Sequence, residues 1–193
     1  MSKVSGIILA GGRASRMGGM DKGLIHFRGQ PLVAHVIARL QPQVDELLIN
    51  ANRETDTYAR LGYPVITDTL SGFHGPLAGL QSGLAQARHP LVVMVPCDAP
   101  FLPTDLVARL KAALAQQKAD LAVATTSGRR QPVFSMMHAR LLPQLTDYLT
   151  QDGRKVDAWY DRLKVAEVAF DDQVDAFANL NTPDDLAHHA ASC

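Results

Sequence analysis

The first ten residues carry an almost unbroken apolar run, positions 4–10, which stops at Gly11-Gly12. A short aliphatic, β-branched run bounded by glycines predicts a strand buried on both faces. Past Pro31 the period changes. Leu32, Val33, Val36, Ile37 and Leu40 fall on one side of a helix that Pro31 opens. Residues 46–50 then read as a short strand, 53–61 as a helix and 64–67 as another strand. Leu77, Leu80, Leu84 and Ala87 space a further helix, and 91–95 is the most apolar strand in the chain. Thr104 stands as the N-cap of a helix carrying Leu106, Val107, Leu110 and Leu114. Two more strands, 120–125 and 132–136, are separated by a Gly-Arg-Arg turn and can pair as a hairpin. Trp159 shares helical spacing with Val156, Tyr160 and Leu163, which is the mark of core packing. Thr182-Pro183-Asp184-Asp185 supplies an N-cap, a proline at the first helical position and acids in the first turn of a last helix.

Strands alternating with helices predict a three-layer α/β architecture whose sheet is mainly parallel, because each crossover passes through a helix. No repeat, low-complexity tract or linker interrupts the pattern, so a single domain over residues 1–193 is expected. Ligands in such sheets sit beyond the carboxyl ends of the strands. The loops after Ala10, Asn50 and Val95 are therefore the places to search.

Composition narrows the choice. Hydrophobic residues make up 47% of the 193 and charged residues 20%, enough for one core. Nineteen Lys+Arg balance nineteen Asp+Glu, which argues against a general nucleic-acid binder. The balance is uneven along the chain: residues 1–30 carry a formal +4 and residues 171–193 a formal −5. A basic segment on a neutral chain suits a small polyanion. No apolar stretch of about 18 residues is present to span a bilayer, and the N-terminus lacks a signal-peptide core. Cys97 and Cys193 are too few and too far apart for a disulfide framework or a thiolate zinc site. A soluble, cytoplasmic protein is expected.

The loop after the first strand places Gly11, Gly12, Arg13, Arg16, Gly18, Gly19 and Lys22 together. Glycines expose backbone N–H groups to a ligand, and the cations add charge-assisted donors for phosphate oxygens. A solvated basic loop would have the same composition. Its position after a buried strand favours the phosphate site. The spacing fits neither G-x-x-x-x-G-K-[ST] nor G-x-G-x-x-G. Asp98, directly after the 91–95 strand, can hold Mg²⁺ against a polyphosphate, or serve as a turn residue ahead of Pro100. No Ser-His-Asp or Cys-His arrangement is evident, and the histidines are scattered, as packing or surface residues are. Arg129-Arg130, placed in the hairpin turn, gets no role.

The run from Leu9 to Gly23, L-A-G-G-R-A-S-R-M-G-G-M-D-K-G, resembles the signature of nucleotidylyltransferases that transfer NMP from NTP. With Asn50-Ala51-Asn52-Arg53, Gly75-Pro76-Leu77-Ala78-Gly79, Pro96-Cys97-Asp98 and Asn179-Leu180-Asn181-Thr182-Pro183, the chain is most similar to the molybdenum cofactor guanylyltransferases. That resemblance implies a Rossmann-like, mainly parallel mixed sheet. It also implies GMP transfer from GTP to molybdenum–molybdopterin with release of pyrophosphate. Carried over by position, Leu9, Ala10, Gly11, Lys22, Asn50, Asp68 and Asp98 would bind GTP, with Asp98 also on Mg²⁺. Gly12 and the loop from Gly75 to Gly79 would lie near the base. Arg154, Lys155, Asn179 and Asn181 would face the pterin. Arg16 and Lys22 would neutralise the β- and γ-phosphates, so that Arg16, Lys22 and Asp98 form the catalytic set. Gly11 replaces the alanine of the cytidylyltransferase relatives, which leaves room for a purine without excluding ATP. The resemblance further implies hand-over to molybdoenzyme-maturation proteins, and a monomer without nucleic-acid or membrane partners is expected. A cytidylyl or sugar-nucleotide transferase, or a nucleotide-binding regulator without catalysis, are the competing readings.

Overall fold

The computed structural model describes residues 2–10, 21–70 and 75–191, with Pro183, His188, Ala190 and Ala191 described by their backbone alone. Gly11, Gly12, Arg13, Arg16, Gly18, Gly19, His74 and Cys193 lie outside the described residues. The chain runs β1 (Val4–Leu9), a 3₁₀ turn (Lys22–Leu24), the two-stranded hairpin β2 (His26–Phe27) and β3 (Gln30–Pro31), then α1 (Leu32–Leu40). It continues through β4 (Glu46–Asn50), α2 (Thr55–Ala59), β5 (Val65–Ile66), α3 (Pro76–Gln86), β6 (Leu91–Pro96) and α4 (Leu106–Gln117). Last come β7 (Leu121–Thr126), β8 (Arg129–His138), α5 (Leu142–Thr150), α6 (Val156–Tyr160), β9 (Val165–Ala169) and α7 (Pro183–Ala191).

Seven strands form one sheet in the order β5-β4-β1-β6-β8-β7-β9. Pairing is parallel throughout except where β8 lies antiparallel between β6 and β7. The expected mainly parallel α/β sheet is what the chain forms. Two apolar layers explain the unbroken strand runs. Ile8, Val93 and Val95 pack into one core with α1 and α4, and Ile7, Val92 and Met94 into a second with α3 and α5. A strand covered on both faces has no polar side to alternate with.

Helix α3 approaches β1 so closely that a Cβ on Gly83 would run into Ile7 Cδ1. Helix propensity favours alanine over glycine by about 1 kcal/mol, whereas overpacking a filled core costs about 1–3 kcal/mol. Ile7 is fully buried and has nowhere to swing. Gly83→Ala is therefore expected to destabilise the chain by a net of up to ~2 kcal/mol, read as a lower denaturant midpoint at unchanged slope.

Several sequence expectations need correction. The helix of 53–61 shrinks to Thr55–Ala59, and the strand of 64–67 to Val65–Ile66. Pro31 pairs with His26 and precedes α1. Thr104 does not cap α4. Asp105 holds the N-cap position without a side-chain bond, and the Val107 N–H donates to Gln43 Oε1 at 3.0 Å. A distant glutamine has taken over the capping. Arg129 and Arg130 are strand residues of β8, and the turn is Ser127-Gly128. Both turn residues have positive φ, +47° and +70°, the pairing a two-residue hairpin favours. Arg130 then has a structural task, with ion pairs to Asp161 and Glu167. Thr182 does cap α7: Asp185 N–H donates to its Oγ1 at 3.1 Å. Trp159 and Tyr160 are fully buried, as their spacing predicts.

Candidate functional site

Register decides what meets at the carboxyl edge of the sheet. Leu9, the last residue of β1, lies between Asn50 of β4 and Pro96 of β6. The Ala10 N–H donates to the Asn50 carbonyl at 2.7 Å, and the Cys97 N–H donates to the Leu9 carbonyl at 3.1 Å. Three segments therefore leave the sheet side by side, and each of the three loops singled out from sequence opens here.

On one side stands an amide-held carboxylate. Asn50, 3% exposed, donates from Nδ2 to Asp68 Oδ1 at 2.9 Å. Asn52 Nδ2 donates to Asp68 Oδ2 at 2.8 Å, and the Asp68 N–H donates back to Asn52 Oδ1 at 2.8 Å. The next residue is pinned to α3, since the Thr69 N–H donates to Ser82 Oγ at 3.0 Å. Gly79 is a packing requirement: a Cβ there would strike Asn50 Oδ1 and sit 2.9 Å from Leu9 Cδ2. Gly75 caps α3 at φ +62°, ψ −149°, a conformation essentially restricted to glycine. Leu9, Ala10, Asn50, Asp68 and Gly79 thus form one neighbourhood. Asn52 belongs to it too. The signal that could have revealed it is its spacing from Asn50 across the strand end.

On the other side stands a cation between an acid and an amide. Lys22 Nζ donates to Asn181 Oδ1 at 2.6 Å and lies 3.8 Å from Asp98 Oδ2. Asp98 is 8% exposed. Burial pushes its carboxyl above the usual range, and the Lys22 ammonium pulls it only part of the way back. Asn181 arrives from the far end of the chain. The Leu180 N–H donates to the Asp98 carbonyl at 2.9 Å, and the Leu180 side chain is fully buried with Ile25, Phe27 and Leu32. The Asn181 and Thr182 N–H groups both donate to Asp185 Oδ2 at 2.9 Å. The last helix's cap therefore sets where Asn181 stands.

This donor set can be tested against a metal. Among the described residues no group of three or more His, Cys, Asp or Glu converges, which does not fit a closed zinc site. Asp68 has both oxygens taken by amides. Asp98 offers a carboxylate whose side-chain partner among the described residues, Lys22, stands beyond hydrogen-bond length. One such carboxylate fits Mg²⁺, which completes its shell with phosphate oxygens and water. Cys97 contributes no thiolate: it is buried and free, and burial drives its thiol well up.

The remaining sequence candidates are more dispersed. Asn179 is exposed, and its carbonyl accepts from Asn181 Nδ2 at 3.4 Å. Arg154 and Lys155 are exposed in the segment between α5 and α6. Their bonds stay local: Arg154 Nη2 donates to Asp152 Oδ1 at 2.8 Å, and the Lys155 carbonyl accepts from Tyr148 Oη at 3.0 Å. β8 ends at the amino edge, His138 pairing with Leu91, and α5 follows from there before this segment.

Comparison with known proteins identifies the family. A family model described as MobA-like NTP transferase domain matches residues 6–166. A molybdenum cofactor guanylyltransferase of Cupriavidus necator is 52% identical over 191 residues, covering 96% of each chain. One from Shewanella amazonensis is 48% identical over 184 residues, covering 95% of this chain and 94% of its own. Among solved structures, molybdopterin-guanine dinucleotide biosynthesis protein A from Archaeoglobus fulgidus superposes with a TM-score of 0.80 at 23% identity, over 95% of each chain. The 4-diphosphocytidyl-2C-methyl-D-erythritol synthase of Anaerococcus prevotii gives 0.78 at 13% identity, over 98% of this chain and 95% of its own. At these identities the structural likeness speaks to the fold.

Proposed function

The chain belongs to the MobA-like NTP transferases, and among them to the molybdenum cofactor guanylyltransferases, and from that premise we propose how its residues carry the reaction. One nucleotidyltransferase domain, residues 1–193, transfers GMP from GTP to molybdenum–molybdopterin, forming the guanine dinucleotide cofactor and pyrophosphate. The observation that carries the assignment of residues is Lys22, set 3.8 Å from the buried Asp98 at the carboxyl edge and held there by Asn181. Asp98 holds Mg²⁺, which when bound supplies the positive charge that lets two anions approach.

Lys22 and Arg16 meet the β- and γ-phosphates and neutralise the departing pyrophosphate. Leu9, Ala10, Gly11 and Gly12 offer backbone to the nucleotide. Asn50 and Asp68 form its neighbouring wall, with Gly75 and Gly79 keeping α3 close. Arg154, Lys155, Asn179 and Asn181 face the pterin. Because Asn181 also touches Lys22, the acceptor's phosphate is brought against the nucleotide's. That phosphate needs no base, since a phosphate monoester ionises a second time near about pH 6.

No helix among the described residues is long and apolar enough to cross a membrane. The reading proposed beyond this is of a cytoplasmic monomer that works on two small molecules, without nucleic acid, and passes its product to molybdoenzyme-maturation proteins. The test is pyrophosphate release with GTP, CTP and ATP, each with and without molybdopterin. Release is expected with GTP and acceptor together. Equal release with CTP or ATP would overturn the assignment of the base, and acceptor-independent release would overturn the assignment of the reaction.

A further inference from the structure

Within the Asp21-Lys22-Gly23 run only Lys22 has a task so far. One of its neighbours is hydrogen-bonded to a buried side chain and the other packs against it. Asp21 Oδ1 accepts from Tyr58 Oη at 2.5 Å and from the Gly23 N–H at 3.2 Å. The Tyr58 ring is fully buried, in the same core as Ala10, Ala51 and Cys97. A Cβ on Gly23 would stand 2.5 Å from that hydroxyl and 3.2 Å from both Cβ and Sγ of Cys97. The turn is closed as well by the Leu24 N–H on the Asp21 carbonyl and the Ile25 N–H on the Lys22 carbonyl. Lys22 is thus strung between two residues that cannot move without disturbing Tyr58.

Packing alone does not account for a hydroxyl here. Phenylalanine would fill the same space, and a buried hydroxyl costs free energy unless it is paired. Among the described residues its partner is Asp21. Asp21 is therefore occupied as an acceptor, whereas Asp98 faces the cation. We infer that Tyr58 is a positioning residue for Lys22, acting through Asp21, so that the lysine's backbone is fixed before the nucleotide arrives. The inference rests on the reading that Lys22 meets the phosphates. Fixing the backbone leaves only the side chain's rotamers to be ordered on binding, which lowers the cost of forming the contact.

The experiment measures GTP affinity in Mg²⁺ by calorimetry, and kcat/KM for guanylyl transfer, on single and double variants. Tyr58→Phe and Asp21→Ala are each expected to weaken GTP binding by up to about tenfold, the size of a lost hydrogen bond. Asp21→Asn keeps an acceptor for both Tyr58 and Gly23 and is expected to stay within about twofold of the unaltered chain. In the Lys22→Ala background, Tyr58→Phe is expected to add less than about twofold, because the two act on one contact. A purely structural tyrosine would instead add its full effect there. Full additivity overturns the inference, as does Asp21→Asn failing as badly as Asp21→Ala, which would make the charge the point. Lys22→Ala binding GTP normally would sink the phosphate reading itself, and this inference with it. Far-UV circular dichroism and melting curves on each variant show that the fold is intact.

Discussion

Asp98→Asn is expected to lower guanylyl transfer by about 10²–10³ in kcat, the size of losing one preorganised electrostatic contact, and to yield a chain that melts higher than the parent at neutral pH. Both effects have the same origin. The carboxylate is 8% exposed, and burial keeps its ionisation above the usual range despite the ammonium at 3.8 Å. The unfolded chain ionises this group near about pH 3.9. Between that value and the raised folded value the native state holds the extra proton, so the parent's stability falls as pH rises through this window. Above it the penalty stays. Asparagine has nothing to ionise, so the gap between variant and parent opens across the window and persists at neutral pH. Melting curves at acid and neutral pH, beside Mg²⁺-dependent turnover, check both halves. A variant that turns over normally would remove Asp98 as the cation's ligand. One that melts lower at neutral pH would refute the account of the buried charge.

The second large effect is expected at Lys22. Lys22→Met removes the donor to Asn181 and the cation beside Asp98 in one step. Loss of the phosphate contact is expected to cost about 10²-fold in kcat/KM for GTP. A further signature separates this from general damage. The ammonium is what pulls the Asp98 carboxyl downward against burial, so its removal lets that carboxyl rise further. Protonation then competes with cation binding at higher pH, and the acid limb of the pH–rate profile moves up. A pH profile of kcat/KM on the variant reads this directly. An unmoved acid limb would mean that Lys22 and Asp98 do not share a site.

Much of this was legible in the sequence, and the reasons are particular. β1 and β6 were readable because both faces are covered, so their runs are apolar at every position. α1 was readable because one stripe faces the core, and all five predicted residues are buried. α5 and β9 were harder. Pro143 breaks the look of a helix although it sits in the first turn, where it is tolerated. β9 is an edge strand with Glu167 exposed, so its apolar signal is thin. The cap of α4 failed as a local reading because Gln43 reaches it from 64 residues away. At the site, the motifs and the resemblance they carry marked Lys22, Asp68 and Asp98; Asn52 and Asp21 stood inside quoted motifs without being given a role, and nothing local marked Tyr58.

The amino-acid sequence by itself determined the period of α1, α3 and α4 and the unbroken runs of β1 and β6, the parallel sense of most of the sheet, and the family to which the motifs belong. These depend on neighbours within one or two turns, or on strings of residues read in order. Tertiary structure alone decided which side chains share a contact. Lys22 meets Asn181 across 159 positions and Asp21 meets Tyr58 across 37. Such pairings follow from the order of strands in the sheet and from where α2 and the cap of α7 come to rest. Folding brings distant polar groups together as it buries the apolar ones between them, and the burial that gives Asp98 its unusual ionisation exists only once that has happened.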